Sequence, residues 1–218
     1  LIFSSSATVY GEINKPPFKE NYKLNPVNPY ANNKTSIEIF LKDIFESQKE
    51  KWNIINLRYF NPIGAHFSGL IGENPVGKPN NIFPLILNAC YKNEEFHIFG
   101  NDWPTPDGTC IRDYIHIEDV AEGHVKALEN TSLKGFNTFN LGTGIGTSVL
   151  ELLKTFERSN NLKINYKFHK RRKGDTAILV ADNSFALNKL NWRPVRKLSE
   201  MCEDGYRWIT KNPNGYRD

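Results

Sequence analysis

Leu1-Ile2-Phe3-Ser4-Ser5-Ser6-Ala7-Thr8-Val9-Tyr10-Gly11 opens the chain, Pro29-Tyr30-Ala31-Asn32-Asn33-Lys34 follows a loop, and Asn53-Ile54-Ile55-Asn56-Leu57-Arg58-Tyr59 comes next. Leu1 to Phe3 has the character of a short buried strand followed by small hydroxyl residues. From Tyr30 to Glu50 the apolar Ile37, Phe40, Leu41, Ile44 and Phe45 recur at helical spacing, with Lys42, Asp43 and Lys49 on other faces. Asn53 to Tyr59 is again strand-like. A strand, a long amphipathic helix and a second strand make a βαβ unit, so the fold is α/β with a parallel sheet. Outward from this unit, Glu12 to Pro29 and Pro62 to Asn80 are loop-rich. Helices are expected at Phe83 to Tyr91, Glu118 to Asn130, Val149 to Ser159, Ser184 to Leu190 and Leu198 to Asn212. Strands are expected at Phe96 to Phe99, Tyr114 to Ile117, Phe136 to Leu141 and Lys163 to Phe168.

The 218 residues carry 28 Lys+Arg against 24 Asp+Glu, a balance of +4, too diffuse to imply a nucleic-acid partner. With 39% hydrophobic residues the chain can bury a core. The longest apolar runs, such as Ile82 to Leu87 with Pro84 inside it, are too short to cross a bilayer. No charged leader precedes an apolar stretch at Leu1, so no signal peptide is expected. Cys90, Cys110 and Cys202 are far apart and odd in number, which points to the reducing cytoplasm. The five histidines form no HExxH or HxH pattern, and no metal site is expected. The chain begins without Met inside a strand-like run, as a piece of a longer protein would.

Tyr30 and Lys34 form a YxxxK pair. Four residues on a helix put both side chains on one face. A phenol with a reference pKa of about 10 becomes a useful base near neutrality only when positive charge favours the phenolate, and Lys34 is such a charge. Taken alone, the spacing is more often an exposed tyrosine beside a solvated lysine. Ser6, at the carboxyl end of a parallel strand, sits where doubly wound sheets bind ligands, although a turn or cap is the commoner use of serine.

Together these elements are more specific. A strand ending in SSSATVYG, then PYxxxK, then Leu57-Arg58-Tyr59-Phe60-Asn61-Pro62, then Arg112-Asp113-Tyr114-Ile115-His116 resembles the extended short-chain dehydrogenase/reductase superfamily, and within it the UDP-glucose 4-epimerases. Further matches run in order through Pro79-Asn80-Asn81, Ile98-Phe99-Gly100-Asn101-Asp102, Asp107-Gly108-Thr109, Asn140-Leu141-Gly142, Arg171-Arg172, Gly174-Asp175, Asn212-Pro213 and Gly215-Tyr216. Sugar-nucleotide 4,6-dehydratases are similar but place an acidic pair after the first strand, where this chain has Ala7-Thr8.

The resemblance implies the C-terminal part of a Rossmann-like doubly wound sheet over residues 1–61, with part of 112–147 returning to it. A smaller mixed α/β, UDP-sugar-binding domain is implied over 62–218. It also implies NAD as cofactor, UDP-glucose and UDP-galactose as substrates, and a homodimer built through helices that include the one bearing Tyr30. Tyr30, as phenolate, would take the 4-hydroxyl proton directly or through Ser6, and Lys34 would bind the nicotinamide ribose and hold the phenol acidic. Ser6, Tyr30, Lys34 and Phe60 would line the cofactor site. Asn61, Asn81, Ile82, His97, Ile98, Phe99, Arg112, Arg172, Asp175 and Leu179 would surround the UDP-sugar, the arginine forks meeting phosphate oxygens. A basic run such as Lys170 to Lys173 is more often a solvated loop, but its company of Gly174-Asp175 and Arg112 favours diphosphate over nucleic acid.

Two features depart from that pattern. No dinucleotide fingerprint precedes Leu1, and the glycines at 142, 144 and 146 miss the GxGxxG spacing because position 147 is Thr, so that stretch is expected to be a structural turn. If the polypeptide is complete, neither tight NAD binding nor turnover is expected of it, and it would act as a UDP-sugar-binding fragment. Leu179 stands where some relatives carry tyrosine and others a smaller residue, so weak use of N-acetylhexosamines is an expectation. Another epimerase or decarboxylase of the same superfamily is the nearest enzymatic alternative.

Overall fold

Parallel pairing of two strands across a long helix is the organising unit of the structure, a computed structural model that describes residues 1–216 except positions 78, 131 and 173. In chain order the elements are β1 (Ile2–Ser6), a 3-10 turn (Ala7–Tyr10), α1 (Pro29–Ser47), β2 (Ile54–Tyr59), β3 (Asn61–Ile63), α2 (Ile82–Lys92), β4 (Phe96–Phe99), β5 (Ile111–Arg112) and β6 (Tyr114–His116). They continue as α3 (Ile117–Glu129), β7 (Phe136–Leu141), β8 (Thr147–Ser148), α4 (Val149–Ser159), β9 (Tyr166–His169), β10 (Ile178–Leu179), α5 (Ser184–Leu190) and α6 (Leu198–Lys211). Helix α1 starts where local chemistry directs: Asn28 Oδ1 accepts from the Ala31 amide at 2.8 Å and Pro29 fills the first turn.

β1, β2 and β7 form a parallel sheet in that order, with Ile2 opposite Ile55 and Ile54 opposite Phe136. Leu57, Ile115, Phe139, Leu141 and Trp192 make its core, and α5 packs on β7. A second core joins α2, β4, α4 and α6 through Phe83, Ile86, Ile98, Leu152, Phe156 and Met201. The parallel pair β3 and β6, and the small sheet β10-β5-β8, link the two regions.

Most expected elements are present within a residue or two. Ser4 to Ser6, expected just beyond the first strand, are instead its last three residues. The strand expected from Lys163 begins only at Tyr166, because the Ile164 amide donates to buried Glu157 Oε1 at 2.9 Å and ties that segment to α4. β3, β5, β8 and β10 were not anticipated, since two or three residues are too few to show a period. Among the described residues no helix is long and apolar enough to cross a membrane.

A buried ion pair joins the first sheet to α1 and the 3-10 turn. Arg58 and Glu38 are only 4% and 5% exposed, and the guanidinium donates to both carboxylate oxygens, Nε to Oε1 at 2.9 Å and Nη2 to Oε2 at 2.5 Å. Arg58 Nη1 also donates to the Tyr10 hydroxyl and to Glu20 O, each at 3.0 Å, while Tyr10 donates to Asn140 Oδ1 at 2.6 Å. Ser5 Oγ donates to Glu38 Oε1 at 2.5 Å. Burial by itself would pull the guanidinium toward the neutral form, but the hydrogen bonds and charge of Glu38 more than offset this and hold Arg58 charged. Burial pushes the Tyr10 phenol up to about 12, against the opposing charge of Arg58. Removing one member strands the other as an uncompensated buried charge, so Glu38→Ala is expected to cost about 3–5 kcal/mol. A urea titration reads this as a lower midpoint, and an unchanged midpoint would show that the pair does not hold the layer.

Candidate active site

At the carboxyl ends of β1 and β2 lies a cleft of about 750 Å³ whose walls include Ser6, Thr8, Tyr30, Tyr59, Phe60 and Asn61. This is the rim at which parallel α/β sheets bind ligands. Ser6 ends β1 and also caps the 3-10 turn, its Oγ accepting from the Thr8 amide at 3.3 Å and the Thr8 hydroxyl at 3.0 Å. The residue that caps the turn is thus also a wall of the cleft.

Tyr30 stands in the first turn of α1, about half exposed on the cleft wall. One helical turn on, Lys34 is behind it, its ammonium 5.6 Å from the Tyr30 ring centroid and donating to Ser4 O at 2.7 Å. Lys34 does not line the cleft itself. Beneath them, the Tyr59 hydroxyl is hydrogen-bonded to Ser4 Oγ at 2.7 Å and His124 Nε2 at 2.5 Å. Burial raises the Tyr59 pKa and the hydrogen bond with Ser4 opposes that rise.

A recess of about 190 Å³ adjoins the cleft and shares Asn61, Asn81 and Ile82 with it. Its walls include His97, Ile98, Phe99, Arg112, Arg172 and Asp175, so the fold gathers residues that span the chain from 61 to 175. Arg112 is held by its own hydrogen bonds, Nη1 donating to Ile111 O at 2.9 Å and Thr176 O at 2.8 Å, with Nη2 3.7 Å from Asp175. The Arg172 guanidinium lies 3.8 Å from the Phe99 ring centroid. Arg171 does something different: it stacks on Trp103 and donates to Asp102 Oδ1 at 2.8 Å, which fastens the loop. Lys173 of the basic run lies outside the described residues. Asn61 Oδ1 and the Tyr114 hydroxyl are buried without a hydrogen-bond partner among the described residues, and both residues line the recess. Polar atoms left in that state are ones a ligand could satisfy.

Leu179 lines neither cavity. It packs from β10 against the apolar cluster of Ala7, Val9, Tyr10, Phe18 and Phe60, of which Phe60 is a wall of the cleft. Thr8, Tyr59 and the loop residues His66, Ile71 and Glu73 are cleft residues that the sequence did not single out. For Thr8 the signal was present in its hydroxyl two residues after Ser6. The loop carries no local sign of facing a site.

The glycine-rich stretch after β7 is a turn built on a buried carboxylate. Asp113, fully buried, accepts from the Thr143 amide at 2.7 Å and hydroxyl at 2.6 Å, the Gly144 amide at 2.9 Å and the Ala181 amide at 3.1 Å. Burial raises its pKa, and those donors pull it back. A Cβ on Gly142 would lie 2.6 Å from Asp113 Oδ2, so glycine is required there for close approach rather than for a phosphate.

The model of the NAD dependent epimerase/dehydratase family matches residues 1–142. The chain belongs to this family. Among its relatives, the UDP-glucose 4-epimerase of Drosophila melanogaster is 49% identical over 99% of this chain and 63% of its own length, and that of Bacillus subtilis (strain 168) 48% identical over 100% and 64%. Solved structures of the same kind superpose closely. The UDP-glucose-4-epimerase of Stenotrophomonas maltophila, with bound NAD and formylated UDP-arabinopyranose, gives a TM-score of 0.94 at 42% identity, covering 98% of this chain and 64% of that one. The UDP-glucose 4-epimerase of Bifidobacterium longum, in complex with NAD+ and UDP, gives 0.93 at 43% identity, covering 99% and 64%. This epimerase/dehydratase chain therefore spans just under two thirds of the length of the relatives it matches.

Proposed function

We propose that the protein interconverts UDP-glucose and UDP-galactose by transient oxidation at the sugar C4, with NAD as cofactor. The observation that carries this is the continuity of the cleft and the recess. Ser6 and Tyr30 stand at one end, Arg112 and Arg172 at the other, and Asn61, Asn81 and Ile82 belong to both. A nucleoside diphosphate sugar has the same order of groups, with a polyhydroxyl ring needing proton transfer at one end and two phosphates needing cations nearer the other.

The residues around the carboxyl ends of β1 and β2 suit the nicotinamide end of NAD: hydroxyls at Tyr30 and Ser6 and an apolar face at Phe60 on the cleft wall, with the Lys34 ammonium behind Tyr30. When bound, the cofactor supplies hydride acceptance and return. Tyr30 takes the proton from the 4-hydroxyl and later gives it back, and Ser6 passes it on where the phenol does not reach. Lys34 favours the phenolate by its charge and can hold a ribose hydroxyl. The volume of the cleft leaves room for a hexose to present either face to the same proton donor, which inversion at C4 needs. Arg112 and Arg172 hold the diphosphate, Asp175 and the strand His97 to Phe99 bound the uridine, and Leu179 acts on the sugar pocket only through Phe60. The division into a cofactor part over 1–61, joined by part of 112–147, and a UDP-sugar part over 62–218 is part of the same proposal.

The three free cysteines suit a reducing, cytoplasmic setting. A homodimer is supported by the outer face of α1, where Ile37, Ile39 and Phe40 are 39%, 57% and 62% exposed. Phe40→Glu is expected to shift the whole protein from dimer to monomer in light scattering with its helical content intact, and a dimer that persists would place the interface elsewhere.

Tyr30→Phe in the whole protein is expected to lower turnover by about 10²-fold or more, the usual worth of a positioned proton relay. Turnover near that of the unaltered enzyme would overturn the assignment. Arg172→Ala is expected to raise the UDP dissociation constant about ten- to a hundredfold, since a charged hydrogen bond is worth about 1.5–3 kcal/mol. Calorimetry checks this, and unchanged UDP affinity would remove Arg172 from the diphosphate site.

A further inference from the structure

The sequence scatters its histidines, but the structure brings two of them beside a carboxylate. Glu95, His97 and His169 each offer a ligand atom, and those atoms lie within 4.8 Å of one another. The pairing of β4 with β9 causes this. The strands run in parallel with Phe99 opposite His169 and His97 opposite Lys167, and the two-residue period puts alternate side chains on one face. The imidazole centroids of His97 and His169 are 4.4 Å apart, and Glu95 Oε1 is 3.5 Å from His97 Nε2.

Those distances fit one kind of ligand. Tetrahedral Zn²⁺ with bonds of about 2.0–2.2 Å has ligand-to-ligand edges of about 3.4 Å, which the Glu95 to His97 pair already matches. Both of those side chains are about half exposed, and side-chain rotation is the motion by which the remaining edges, now up to 4.8 Å, would shorten to that length. His169 Nε2 is buried with no hydrogen-bond partner among the described residues, the state of an imidazole nitrogen available for coordination. Two imidazoles and one carboxylate favour a borderline transition metal over Mg²⁺ or Ca²⁺, which need more oxygen ligands than this group provides.

We propose that Glu95, His97 and His169 form a site for a divalent transition metal of the zinc class, leaving one coordination position to water. The metal would tie β4 to β9, which form a two-stranded sheet of their own among the described residues. Neighbouring charges set the limits on affinity: Lys167 faces His97, and Lys92, Glu94 and Arg172 line the same depression. The site shares His97 with the nucleotide recess, but its geometry stands independently of any nucleotide.

The full chain, freed of metal, is titrated with Co²⁺ as a spectroscopic probe and with Zn²⁺ in calorimetry. One saturable site per chain is expected, with visible Co²⁺ absorption of tetrahedral type. His97→Ala and His169→Ala are each expected to weaken binding at least tenfold, and Zn²⁺ should raise the thermal midpoint of the unaltered chain but not of the variants. Glu95→Gln, an exposed change that leaves the fold alone, should also weaken binding. No saturable uptake, or equal uptake by the His97→Ala/His169→Ala double variant, would overturn the site. UDP affinity measured on the metal-free chain reports on the nucleotide recess separately, so either conclusion can fail without the other.

Discussion

The buried pairing of Arg58 with Glu38 is where the strand layer, the long helix and the turn carrying the candidate serine meet. Arg58 belongs to β2, Glu38 to α1, Ser5 to β1 and Tyr10 to the 3-10 turn, and Tyr10 reaches on to Asn140 of β7. Each member satisfies another's hydrogen-bonding capacity in a space with almost no water. Moving any one of them would leave a charge or hydroxyl unpaired at a cost that packing could not recover. The geometry of the cleft follows from this. Ser6 adjoins Ser5 on the strand, and Tyr30 lies on the helix that Glu38 fixes, so the two reach the same cavity because the ion pair sets how α1 sits on the sheet.

A second buried carboxylate organises the chain after β7. Asp113 gathers the backbone after β7 and the amide of Ala181, positions 30 and 68 residues away along the chain. Its neighbours on either side, Arg112 and Tyr114, line the recess, so the residue that closes the glycine turn also lies beside that wall. The candidate site thus rests on two anchors. One holds the end lined by Ser6 and Tyr30 and the other the end lined by Arg112, and Asn61, directly after Phe60, lines both cavities.

Much of this is legible in the order of the residues alone. The helical spacing of Ile37, Phe40, Leu41 and Ile44, the asparagine and proline before Tyr30, and the strands on either side settle the βαβ unit through interactions within one element. Most of the residues to which the order of motifs points likewise line one of the two cavities, Lys34 and Leu179 being the exceptions. Less accessible are Leu179, which packs into the cluster around Phe60, and Arg171, which serves Trp103 and Asp102 instead of the recess. Arg171 is the direct neighbour of Arg172, which does line the recess, so adjacent residues of one loop serve different ends, and Leu179 sits on a two-residue strand too short to show a face.

Local pattern is sufficient for the helices and the longer strands because their periods are written over several consecutive residues, and insufficient for the two- and three-residue strands β3, β5, β8 and β10. It is sufficient for the Tyr30 and Lys34 pair because one helical turn fixes their separation. It could not show that Arg58 meets Glu38, that Tyr10 meets Asn140 across 130 residues, or that His97 and His169 come together across two strands. Those contacts come from strand order and register, which are set by the packing of the whole chain and have no counterpart in the spacing of any one segment.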